Sequence, residues 1–132
     1  MKTNFFFSVK SLALLVFILG ASYFFNIKYA LYWQYPWIDI PLHFLGGVVA
    51  ALAVSLIFRA ELVAFRPLTA LLFIIGLAVL IGVGWEFFEW MLDHTVRLGL
   101  KQGDLTDTLT DLLMDILGAS FTALNLNWQR RT

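Results

Sequence analysis

The chain has 132 residues, of which 61% are hydrophobic and 14% charged, with a mean hydropathy of +0.82; soluble domains average roughly 45–50% apolar and about 25% charged. Nine Lys and Arg balance nine Asp and Glu, and with no RNP, finger or basic-helix pattern the balance offers nucleic acid nothing to bind. Cysteine is absent, which excludes disulfides, thiolate metal ligands, iron–sulfur clusters and cysteine nucleophiles together.

This is a membrane composition. No linker, low-complexity tract or repeat interrupts it, so residues 1–132 read as one integral membrane domain. A hydrocarbon core about 30 Å thick takes roughly 20 residues of helix, and four apolar runs of about that length lie between polar breaks. The first covers residues 9–25, with Lys10 near enough to its start to snorkel toward the headgroups. The second covers 41–58, and Asp39 ahead of Pro41 reads as an N-cap followed by a first-turn proline. The third, 67–91, opens at Pro67 and carries no charge before Glu86. The fourth, 105–128, starts after Gly103 and a capping Asp104, and is the least apolar. The expected fold is therefore all-α, a polytopic bundle of four transmembrane helices.

Orientation follows the basic residues, which collect on cytoplasmic ends. Lys2, Lys10, Arg59, Arg66, Arg130 and Arg131 share one side of a four-span arrangement; Lys28, Arg97 and Lys101 take the other. Six against three places both termini in the cytoplasm, and Tyr29, Tyr32, Trp33, Tyr35 and Trp37 then form an aromatic belt at the outer interface. A secretory signal is the competing reading of the N-terminus, since Lys2 and Lys10 bracket the approach to an apolar stretch and Gly20, Ala21 and Ser22 are small. Aromatics on both flanks, at residues 5–7 and at Tyr23, Phe24 and Phe25, favour an anchored helix. Gly46, Gly47, Ala50 and Ala51 on the second span and Gly76, Gly82 and Gly84 on the third read as close helix–helix packing, with passage of a substrate against bare backbone as the alternative.

Eight of the nine acids fall in the outer half: Asp39, Glu86, Glu89, Asp93, Asp104, Asp107, Asp111 and Asp115, with Glu61 alone inside. Glu86, Glu89 and Asp93 stand at i, i+3 and i+7, and Asp104, Asp107, Asp111 and Asp115 at i, i+3, i+7 and i+11, so each set forms a stripe on one helical face. His43 is expected about one turn into the second span, Glu86 about one turn below the outer end of the third, and Asp111 roughly 10 Å along the fourth from Asp104. Intramembrane ionisable groups face a cavity or one another, and carboxylates gathered at one depth need protons, partners or a cation. Arg97, Lys101, His43 and His94 are too few to pair them all. A divalent metal is the economical solution, with Mg²⁺, Mn²⁺, Fe²⁺ and Zn²⁺ all compatible with oxygen ligands and one imidazole. The candidate metal ligands are His43, Glu86, Glu89, Asp107 and Asp111, and Glu86 and Asp111 are the candidate catalytic residues. Asp39 and Asp104 read as caps, and Asp93 and His94 as interfacial. Thr106, Thr108 and Thr110 stabilise the start of the fourth helix or add hydroxyl ligands. No GxSxG, P-loop, HExxH or dinucleotide-binding glycine pattern is present.

The order Asp39, His43-Phe44, Gly47, then Trp85-Glu86-Phe87-Phe88-Glu89-Trp90, then Gly103-Asp104, Asp107-Thr108, Asp111-Leu112 and Gly118-Ala119 resembles the YjdF-like inner-membrane proteins. It is similar, more distantly, to the VanZ-like family associated with teicoplanin resistance, although Ile40 stands where that family often has a basic residue. The resemblance runs from Ile38 to about Ala123 and implies a multi-pass protein of the bacterial cytoplasmic membrane.

Three functions follow as expectations. In the first, a metal in an outward-facing pocket polarises a phosphoryl or acyl oxygen of a lipid-linked or cell-envelope substrate, or activates water. The second is a proton- or cation-coupled carrier in which Glu86 or Asp115 exchanges protons, and four helices are few enough that it predicts a homodimer. The third is a binding or accessory protein without catalysis. Membrane lipids are partners in all three.

Overall fold

A computed structural model describes residues 8–95 and 104–129. Lys2, Arg97, Lys101, Gly103, Arg130 and Arg131, on which the reading of orientation and pairing drew, lie outside the described residues, as do the aromatics at 5–7. Among the described residues there is no strand, and four helices are long and apolar enough to cross a membrane.

Helix α1 spans Val9–Tyr29. Ser8 caps it through a reciprocal pair: the Ser11 amide donates to Ser8 Oγ at 3.2 Å and the Ser8 amide to Ser11 Oγ at 3.1 Å, which satisfies two end groups at once. The helix runs one turn past residue 25 and stops where Ala30 adopts a left-handed conformation, φ 50°. The outer connection is itself helical, with α2 at Leu31–Gln34 and a 3₁₀ turn at Pro36–Ile38 that leads directly into α3, Asp39–Ile57. A short α4, Arg59–Ala64, joins α3 to α5, Pro67–Thr95, and α6 occupies Leu105–Gln129.

Two expectations change. The second span begins at Asp39, not after Pro41, and Asp39 is not its cap: the cap position is Ile38, with no side-chain cap bond. Because the 3₁₀ turn feeds the helix without a break, the first amides already have backbone acceptors and the Asp39 carboxylate is free for other work. The third helix continues to Thr95, four residues beyond the expected end, which sets Glu86 about two and a half turns below its tip at 3.6 residues per turn. The Asp104 expectation agrees with the structure, since Asp104 Oδ1 accepts from the amides of Thr106 at 2.9 Å and Asp107 at 3.1 Å.

Helices α3 and α6 run side by side with the most extensive contact in the bundle, α5 packs against both, and α1 lies mainly on α3. Small residues set this arrangement. A Cβ at Gly47 would run into the Asp115 backbone, one at Gly82 into the Asp115 carboxylate, and one at Gly118 into the Phe44 carbonyl. Nothing lies within 4 Å of a Cβ built at Gly76 or Gly84, so the packing role falls on Gly47 and Gly82 among the expected glycines, with Gly118 added. Below this level the core is mostly alanine: Ala50, Ala51, Ala70, Ala78, Ala119 and Ala123 with Val54, Leu62 and Ile74. Edge-on rings of Phe58 and Phe65 against Phe73 close that end.

The distribution of polarity is inverted relative to a soluble bundle. His43, Glu86, Asp111 and Asp115 are buried while Phe17 is 73% and Leu80 64% exposed. Apolar side chains facing out along four spanning-length helices mark hydrocarbon as the surrounding medium.

Gly47→Ala is expected to destabilise the bundle by about 1–3 kcal/mol, the range for overpacking a tight contact, whereas Gly84→Ala is expected to be neutral or to gain up to roughly 1 kcal/mol from a stiffer unfolded chain. Thermal unfolding in detergent checks the pair; equal effects would refute the packing role of Gly47.

Candidate functional site

Three helices bring acids to one imidazole. The second turn of α3 carries His43 into the bundle, where it is 6% exposed. Its Nε2 faces Asp39 Oδ1 at 3.6 Å, Glu86 Oε1 at 3.8 Å and Asp111 Oδ2 at 3.9 Å, and its Nδ1 faces Asp115 Oδ2 at 3.6 Å. Asp39 reaches it because residues i and i+4 share a helical face. Glu86 arrives from α5, and Asp111 and Asp115, one turn apart, from α6.

The two ring nitrogens therefore have different surroundings. Asp115 lies close to the middle of its helix, on the level of Gly47 and Gly82, and the missing side chains of those glycines make room for it. A carboxylate against Nδ1 favours a proton on that nitrogen, and Nε2 faces three acids drawn from three helices. An aspartate at mid-bilayer costs roughly 2.5–3.5 kcal/mol even on the most permissive scale. Four acids around one imidazole consequently require protons or a cation, since an imidazolium offsets a single charge.

Donor spacing suits a cation. Ligand atoms of Asp39, His43 and Asp111 lie within 4.8 Å of one another, and so do those of His43, Glu86 and Glu89. An ion bound at about 2.0–2.6 Å from each ligand holds its donors at most about 5 Å apart.

Of the residues singled out in the sequence, His43, Glu86, Glu89 and Asp111 come together. Asp107 is half-buried at the rim, near enough to bear electrostatically on Asp39 and Asp111, and it belongs to neither close-spaced set. Thr108 donates a hydrogen bond to Glu86, while Thr110 turns back to the Thr106 carbonyl at 2.8 Å. His94 is away from the centre, exposed, against the Trp90 ring and within 2.8 Å of the Trp90 carbonyl. Asp39 moves from a cap to a member of the cluster, a role its i, i+4 spacing to His43 could have signalled. Tyr32, expected only in an aromatic belt, donates its hydroxyl to Asp39; no periodicity links a residue before the 3₁₀ turn to one after it.

The chain belongs to the family described as predicted membrane protein (DUF2238), whose model matches residues 2–132, and this is the YjdF-like family that the motif order resembles. Comparison with curated proteins and with solved structures gives no significant match.

Burial, then the neighbouring charges of Asp39 and Glu89, push the Tyr32 phenol well above the ordinary tyrosine range. At about one pH unit above the usual value of roughly 10, Tyr32→Phe is expected to leave the phenolate absorbance unchanged. A drop in that absorbance would show an ordinary, solvated tyrosine.

Proposed function

We propose that this member of the DUF2238 family is a divalent-metal protein of the bacterial cytoplasmic membrane, with His43 Nε2, Asp39, Glu86 and Asp111 as the inner ligands and an opening toward the extracytoplasmic side. The observation that carries the reading is the division of labour around His43. A metal-binding imidazole characteristically donates its other ring N–H to a carboxylate, which fixes the tautomer and raises ligand basicity. Asp115, 3.6 Å from Nδ1, is placed for that task. The oxygen-rich donor set with one nitrogen suits Mn²⁺, Fe²⁺ or Zn²⁺, and Mg²⁺ if water completes the shell.

A metal held by these residues would supply Lewis-acid chemistry, suited to a phosphoryl or acyl oxygen of a lipid-linked or envelope substrate or to activating a water. Glu86 and Asp111 hold the reacting groups in place. Asp107 stands at the rim, where a carboxylate can accept the proton of an attacking water. The six-to-three division of basic residues supports cytoplasmic termini and hence an outward-facing centre.

A second reading rests on a different observation. Asp115 sits near the middle of α6, against Gly47 and Gly82, a position suited to a proton- or cation-coupled carrier, which four helices would complete as a homodimer.

Elemental analysis of purified protein separates the two. The metal reading expects close to one equivalent of a transition metal per chain, resistant to EDTA dialysis, lost in His43→Ala and Asp111→Asn, and held about 10–100-fold more weakly in Asp115→Asn, the usual cost of losing such an outer carboxylate. Wild-type protein that takes up no Mn²⁺ or Zn²⁺, together with proton flux in liposomes abolished by Asp115→Asn, would replace it with the carrier.

A further inference from the structure

Helix α1 carries two polar groups that neither the bundle nor the metal reading uses. Asn26 is 2% exposed and its side-chain oxygen has no hydrogen-bond partner. The buried hydroxyl of Tyr23, one turn earlier on the same face, has none either. A buried polar group left unpaired costs about 1–3 kcal/mol, and two within one turn of a helix need an explanation, which a bound ligand supplies.

The surroundings of Tyr23, three residues before Asn26 on the same helix, define its chemistry. The Tyr23 ring packs edge-on against Trp85, centroids 5.4 Å apart. Trp85 donates its indole N–H to Glu89, one turn further along α5. Glu89 and Asp39 are the charges that bear on the Tyr23 hydroxyl, and Tyr32 donates to Asp39. Asp39 is already turned to His43. Glu89 has no Lys or Arg partner among the described residues, and Lys28 lies instead over the exposed rings of Phe24 and Tyr29, at 5.9 and 5.3 Å. Negative charge, aromatic faces and an amide acceptor together reject an anion and suit a positively charged nitrogen, since cations are drawn to aromatic faces and a carboxylate supplies the counter-charge.

We propose that the α1 side of the site is a subsite for an ammonium group, with Glu89 as counter-ion, the Tyr23 and Trp85 rings as walls and the Asn26 oxygen as acceptor. It deepens the metal reading and rests on it only in treating the two places as parts of one pocket. An amine-bearing phosphate headgroup would then reach the metal with its phosphate and Glu89 with its nitrogen. α1, which contacts the bundle less than any other spanning helix, is the side from which a lipid enters.

Protein reconstituted in nanodiscs holding equal phosphatidylethanolamine and phosphatidylglycerol is extracted in mild detergent, and the retained lipid is counted by mass spectrometry. Wild type is expected to keep phosphatidylethanolamine severalfold over phosphatidylglycerol. Glu89→Gln and Asn26→Leu are expected to lose that preference with unchanged helical circular dichroism; Asn26→Leu removes an orphaned polar group and so does not threaten folding. In phosphatidylglycerol-only nanodiscs, a thermal shift produced by free ethanolamine and lost in Glu89→Gln identifies a soluble amine as ligand, and no shift identifies the lipid. Wild type that retains both lipids equally and does not respond to ethanolamine overturns the proposal, as does a preference that survives both substitutions. Metal content measured on the same samples keeps the two readings apart: lipid preference without metal leaves the subsite standing and removes the metal centre, and metal without preference does the reverse.

Discussion

The close approach of α3 to α6 governs everything at the site. Gly47 lies against the Asp115 backbone and Gly118 against the Phe44 carbonyl, so the two helices meet where neither has a side chain to hold them apart. Lipid tails are as apolar as leucine and give helices no hydrophobic reason to associate, and in their absence backbone contact of this kind is what brings spans together. That contact fixes the register in which Asp111 and Asp115 straddle the two nitrogens of His43. Gly82 does the same from α5, leaving the space that the Asp115 carboxylate occupies.

The bundle divides along its length according to this constraint. One half is packed by alanines and closed by phenylalanine rings, a dry interior of low cost. The other half holds an imidazole and four carboxylates, which in hydrocarbon are expensive unless they share protons or a cation. A structural role alone gives little return for that cost, since an apolar core of the same volume is usually at least as stable. The arrangement is therefore best understood through what it binds. An imidazole with an aspartate beside one nitrogen and three acids around the other has the surroundings that the proposed metal centre needs.

Much of this was legible in the sequence. Four apolar runs fixed the number of spans because the bilayer sets their length, and Asp104 was readable as a cap because its side chain has only local amides to serve. His43, Glu86 and Asp111 could be grouped because helical spacing converts sequence distance into depth. Asp39 departs from its expected capping role for a local reason: capping rules assume a chain that enters the helix extended, and here a 3₁₀ turn enters it already coiled. The contributions of Tyr23, Asn26 and Tyr32 depend on how α1 and the outer connection fold against α3 and α5. No periodicity in a single chain encodes that contact.

His43 and His94 are the only histidines, which permits a direct test of the claim that one of them lies at a cation site built by three helices. In ¹⁵N-histidine-labelled protein, one equivalent of paramagnetic Mn²⁺ is predicted to erase the His43 ring resonances and leave those of His94 intact. Equal broadening of both, or of neither, would contradict the account.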